Sequence, residues 1–391
     1  MGRPSLNNRP DGDALSLHTQ PGDRLLDDDA PELQVDDFPP LYEDVAESST
    51  SSAPLLANPS GPPSMVNAPN MANEWKRDDQ GNEYYIDERL NTDPKFLEKH
   101  VEWWAQTPPR PYVRIFGTHK QNVDNAGKKE KQTVTDFDVQ VELTPYLYSD
   151  ATNRVSWREL RTIENSEFAR RGTVLRKRAP GSSQNIEVGL AEKPTLAEWT
   201  HRYCASSAGL KCLALERRVV GFDAEKVKQK LNSMVRATNY RGCVQITFPT
   251  KDARVEVYND CKTNRWRMST WVWWLCTLTL MVLFTWPYLF FRTKRFEVVV
   301  VEWPFSKPGE NGRKKYVSIS EDQWYNMWGR AISRAVLEKR QCTLDQQDLI
   351  ASQGADPVYG DGIVDEAMGF LRAGINAMNE VNRHLGWGHD S

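Results

Sequence analysis

One stretch dominates the pattern of hydrophobic and polar positions. Met268 to Phe291 (MSTWVWWLCTLTLMVLFTWPYLFF) runs for twenty-four residues without a charged side chain. At about 1.5 Å per residue, a continuous helix of this length would measure roughly 36 Å and cross a hydrocarbon core of about 30 Å. Trp271, Trp273 and Trp274 at one end, and Trp286 and Tyr288 at the other, are rings that favour the headgroup level, and Arg265, Arg267, Arg292, Lys294 and Arg295 lie just outside. The pattern predicts one transmembrane helix over 268–291. A re-entrant hairpin is the alternative, because it would let the strands on either side join one sheet. Pro287 lies near the end of the stretch, not at its middle where a reversal is expected, and a single span is therefore preferred.

Ahead of this stretch the periodicity predicts a mixed domain over 73–265. Asp93-Pro94 opens a helix whose Phe96, Leu97, Val101 and Trp104 share a face. Tyr112 to Phe116 is a strand closed by Gly117, 120–132 a charged loop, and Val134 to Leu143 an alternating strand. Ser156 to Arg170 predicts a weakly amphipathic helix, and Thr195 to Ala205 a second with Trp199 and Tyr203 on one side. Strand 212–220, a helix capped by Asp223, and strands 244–248 and 254–258 form a β-α-β-β unit without the glycine-rich turn of a dinucleotide-binding fold. Beyond the apolar stretch, 296–391 is expected to form a C-terminal region. It comprises a β-hairpin from Phe296–Trp303 and Lys315–Ser320, a helix headed by the capping box of Ser320 and Gln323, and a last helix over 363–385. The fold class is therefore α+β: a disordered tail, a soluble α+β domain, one transmembrane helix and a small C-terminal β-hairpin with helices.

Charge separates the tail from the body. Residues 1–70 carry three basic against twelve acidic side chains, a net of −9, while the remaining 321 residues carry 47 against 41, a net of +6. Rich in Pro, Ser, Asn and Asp, residues 1–72 bury too little apolar surface to offset their ordering entropy and are expected to be disordered. The excess of +6 is too small and too spread for a nucleic-acid surface. Its densest part, Arg170, Arg171, Arg176, Lys177 and Arg178, is a candidate membrane-surface patch for anionic lipid. The first thirty residues show no apolar core of a signal peptide, so the stretch at 268 is expected to direct insertion itself. The lack of usable glycosylation sequons, Asn58-Pro59-Ser60 being barred by its proline, agrees with a cytosolic N-terminal body at an endomembrane.

Within the tail, Phe38-Pro39-Pro40-Leu41-Tyr42-Glu43-Asp44 is the sharpest short motif. Pro39 and Pro40 pre-set a polyproline II conformation and Tyr42 can fill an aromatic groove, the mode by which WW domains read such peptides. It resembles the ligand motif of adaptors that bring WW-containing ubiquitin ligases to membranes. Catalytic signatures are not evident. The six cysteines, Cys204, Cys212, Cys243, Cys261, Cys276 and Cys342, show no metal-ligand spacing. His201 with Cys204 lacks a third orienting group, and no phosphate loop or nucleophile elbow is found.

The blocks WRELRTIENSEFARRGTVLRKRAPG, TNYRGCVQITFP, TWPYLFFRTKRFEVVVVEWPFS and QWYNMWGRAISRAVLEKRQCTLDQQDL resemble an uncharacterised family of membrane proteins from filamentous ascomycete fungi, over roughly residues 110–350. Members of that family are sometimes labelled ABC transporter proteins. This chain has neither the phosphate-loop lysine nor the Leu-Ser-Gly-Gly-Gln signature such a label requires, and the resemblance carries over no catalytic residues. The expectation from sequence is a non-enzymatic, membrane-anchored adaptor without cofactor or metal. Its partners would be the lipid bilayer and a WW-domain protein, and the alternative is an accessory subunit of a membrane complex or a protein that binds lipid surfaces.

Overall fold

The computed structural model describes residues 72, 74–125, 128–180, 193–309, 312–353 and 387–388. Two sheets organise them. The first has the strand order β1-β2-β10-β7-β11-β5, with β6 also paired to β11. Its members are β1 (Glu74–Arg77), β2 (Glu83–Ile86), β5 (Glu159–Thr162), β6 (Arg171–Thr173), β7 (Lys211–Val220), β10 (Arg254–Tyr258) and β11 (Lys294–Pro304). The second has the order β14-β4-β3-β8 and contains β3 (Arg110–Asn125), β4 (Lys128–Glu142), β8 (Cys243–Thr247) and β14 (Gln341–Leu344), with β9 (Thr250–Lys251) on the start of β3.

Helices cover one face of each sheet. α1 (Glu88–Thr92), α2 (Pro94–Trp104) and α3 (Leu196–Ala205) serve the first; α4 (Ala224–Ala237), α8 (Glu321–Leu337) and α9 (Gln346–Gln353) serve the second. α2 begins as its sequence requires, with the Asp93 carboxylate accepting from the amides of Lys95 and Phe96 and proline in the first turn. Its buried stripe is Leu97, His100, Val101 and Trp104. α8 carries the complete capping box of Ser320 and Gln323 and buries Trp324, Trp328, Ile332, Ala335 and Val336.

β11 is the central strand. Val298, Val299, Val300 and Val301 are all buried, as expected of a strand with parallel β7 on one side and antiparallel β5 and β6 on the other. The expected hairpin between 296–303 and 315–320 does not form. After β11 the chain instead makes a small ribbon of β12 (Ser306–Pro308) and β13 (Lys314–Tyr316). Residues 156–170 are not a helix. Residues 159–162 become edge strand β5 because pairing with Val299–Glu302 outweighs their local preference. Strand β3 runs through Gly117 because its pairing with β4 and β8 continues there, a Cβ at this position being excluded by the Phe137 ring at 2.3 Å, and the charged region expected as a loop is mostly β3–β4 ribbon. The 244–248 and 254–258 strands fall in different sheets.

The transmembrane expectation is overturned. Among the described residues no helix is long and apolar enough to cross a membrane. The stretch folds as α5 (Lys262–Met268), α6 (Thr270–Leu278) and α7 (Val282–Arg292), and the strands on both flanks, β10 and β11, belong to one sheet on either side of β7. Residues 296–391 therefore do not stand as a separate hairpin-and-helix region, since β11 completes the first sheet and α8 packs against α4 and β4. The Pro39-Pro40-Leu41-Tyr42 motif and the helix expected over 363–385 lie outside the described residues.

Candidate membrane interface

The apolar stretch leaves the first sheet and returns to the same end of it. On the outgoing side Met268 is buried with Ile86, Cys212 and Tyr258. On the returning side the amide of Lys294 donates to the Leu210 carbonyl at 2.9 Å, and Arg295 is register partner to Cys212. Two short legs thus project from one root, a helical hairpin in place of a span.

Its reversal lies at Thr279–Met281, where Leu280 has φ 56°. Left-handed leucine costs roughly 1–2 kcal/mol, and neither glycine nor proline marks the spot. The hydroxyls of Thr277 and Thr279 donate to the carbonyls of Trp273 and Leu275, each at 2.8 Å. Such back-bonding satisfies a hydroxyl in apolar surroundings and loosens the helix ahead of the turn. Pro287, inside α7, is not the reversal point.

Neither leg has a buried residue. Twelve of the eighteen exposed large hydrophobics among the described residues lie on this hairpin, and Leu278 and Phe284 reach 84% and 75% exposure. So dense a patch exceeds what a folded surface ordinarily presents to water. All five aromatic residues singled out from sequence, Trp271, Trp273, Trp274, Trp286 and Tyr288, are exposed here.

Charged groups surround the root. Arg265 makes a bidentate pair with Asp260 at 2.6 Å, and Arg267 lies 4.9 Å over the Tyr258 ring. The basic stretch 170–178 reaches the same end of the sheet, because β6 runs antiparallel to β11 with Thr173 opposite Arg295. Most of its charge is already engaged. Arg170 and Arg176 both pair with Glu297, which Arg254 also contacts; partial burial acts to raise this carboxyl, but the three guanidiniums outweigh it and hold it below its ordinary range. Arg171 donates to the carbonyls of Glu164, Glu167 and Lys177, and Arg178 lies 4.9 Å over Phe168. Lys177 alone of the five has no side-chain partner among the described residues.

The His201 side chain is exposed, while burial pushes the Cys204 thiol up to about 11, away from a thiolate nucleophile. A constellation that sequence reading missed lies on the β3–β4 ribbon. His119 Nδ1 is 2.9 Å from Asp136, which also accepts from the Tyr240 hydroxyl at 2.7 Å. This orients an imidazole as a general base would be oriented, but Cys243, paired with Thr118, faces the opposite side of the strand. Tyr240 instead packs edge-on to Phe137 and tilted against Trp387. No group of three or more His, Cys, Asp or Glu with metal-site geometry occurs among the described residues. Two open clefts of about 160 and 300 Å³, beside α4 and beside β5, contain no convergent catalytic groups.

No protein-family model matches this chain, and no curated protein or solved structure is significantly similar to it.

Proposed function

We propose that the protein is a non-enzymatic adaptor attached to one leaflet of a membrane by the 270–292 hairpin. The observation that carries this reading is the hairpin itself, two apolar legs exposed along their length and rooted at one end of a sheet. The nine residues of α6 rise about 14 Å and the eleven of α7 about 16 Å, each close to half of a hydrocarbon core of about 30 Å. Inserted legs place the reversal at Leu280 near the midplane and keep both flanks on the same side. Moving a dozen large apolar side chains out of water yields gross stabilisation on the order of 15 kcal/mol, ample for attachment after ordering costs. Trp271 and Tyr288 near the root suit the headgroup level, which favours a lipid partner over burial against protein.

The acidic tail then presents Pro39, Pro40 and Tyr42 to a WW-domain protein from the membrane surface. Two experiments test the two halves. In vesicle flotation of the full chain, Leu278→Asp with Phe284→Asp is expected to abolish association; retained flotation would remove the hairpin from the account. In a pull-down with a WW domain, Tyr42→Ala is expected to abolish capture of the tail, and unchanged capture would end the adaptor reading.

A further inference from the structure

The root of the hairpin carries a surplus of cations that the fold does not use. Lys262, Arg292 and Lys294 are exposed, and among the described residues none has an ion pair. Their surroundings differ, because the nearby acids are occupied. Asp260 is held by Arg265, Asp87 by Arg89, and Glu297 by three arginines. Asp93 is engaged as the cap of α2.

Topology gathers the three. Arg292 closes α7 and Lys294 opens β11, so they bracket the returning leg, while Lys262 opens α5 directly ahead of the outgoing leg. The turn after β6 runs past Arg295 toward the hairpin before Lys177 returns to pair with Ala169, away from the root; its shape is set by the Thr173 hydroxyl, which donates to the Leu175 carbonyl at 2.7 Å. Leu175, at the tip of that turn, is 55% exposed.

We propose that these residues form a collar that makes attachment selective for an anionic bilayer, with Leu175 as a second apolar contact beside the hairpin. This rests on the hairpin reading above and assigns its lipid class. With the legs in the acyl layer, the collar sits at the depth of phosphate and serine headgroups, where each cation adds about fivefold in affinity. Screening by salt acts on this part of the binding and spares the apolar part.

Sedimentation of the full chain with vesicles of phosphatidylcholine, alone or mixed with phosphatidylserine, tests the collar. The wild type is expected to bind the mixed vesicles more tightly, with a preference that shrinks as salt rises. Lys262→Gln, Arg292→Gln and Lys294→Gln together are expected to cut that preference by about a hundredfold while leaving binding to phosphatidylcholine intact. A charge-retaining Lys262→Arg, Lys294→Arg variant should keep the preference. Equal wild-type binding to both vesicles, or a preference unchanged in the triple Gln variant, would overturn the collar and leave the hairpin standing. Binding to neither vesicle would overturn both.

Discussion

The Lys294 amide donates to the Leu210 carbonyl at 2.9 Å, which returns the chain to the sheet it left at Tyr258 by way of Asn259, whose side chain accepts from the Lys211 amide at 2.8 Å. A chain held this way cannot place β10 and β11 on opposite sides of a bilayer, because both flank β7 in one sheet. The hairpin is thereby an excursion from a single folded body.

That body depends on a buried arginine. Arg217 is fully buried, and it donates to the Trp104 carbonyl at 3.1 and 3.2 Å, to the Asp252 carbonyl at 2.9 Å and to Glu83 at 3.2 Å. Arg217→Met leaves the buried Glu83 carboxylate with only the exposed Arg77 at 3.8 Å as a cation and is expected to cost about 3–5 kcal/mol in denaturant unfolding. Adding Glu83→Gln should recover part of that loss, and strict additivity of the two changes would contradict the pairing.

His100 gives the body a pH dependence. Its Nδ1–H donates to the Phe96 carbonyl at 2.7 Å and its Nε2 accepts from the Ala72 amide at 2.9 Å, so the neutral ring is the form that fits. Burial lowers its pKa below the ordinary 6.5. Below that value the unfolded chain binds a proton that the folded chain resists, so this contribution to stability is complete above 6.5 and declines as pH falls toward the folded value. Unfolding free energies should drop between pH 7 and 5, and a His100→Gln variant should show a flatter profile over that range.

Gly117 is held to glycine by its neighbour. A Cβ there would lie 2.3 Å from the fully buried Phe137 ring, so Gly117→Ala is expected to destabilise by about 1–3 kcal/mol. A thermal melt unchanged from wild type would contradict this packing.

Local chemistry made much of the fold legible. The caps at Asp93, Asp223 and Ser320 are properties of a few adjacent residues, and the structure contains them as read, while Thr195, read as the first residue of a helix, caps it instead. What sequence reading missed depends on distant partners. Residues 159–162 read as helix until Val299–Glu302 is available to pair with them, and the bond between His119 and Asp136 joins residues that only the β3–β4 register brings together. In the candidate site the interfacial aromatics were visible, but the reversal at Leu280 carries no turn residue, its faint signal being the Thr277/Thr279 pair. Within the basic patch, the Glu297 carboxylate and the carbonyls of Glu164, Glu167 and Lys177 engage Arg170, Arg171 and Arg176 through contacts that composition does not reveal.

The most direct measurement places engineered glycosylation acceptor sites, one at a time, in the turn at Asp150–Arg154 and in the loop between Pro308 and Lys314, and scores each full chain in microsomes. A hairpin in one leaflet predicts that the two sites share one state, both unmodified when the body faces the cytosol. Modification of the 308–314 site with the 150–154 site unmodified would put the flanks on opposite sides of the membrane and contradict the account.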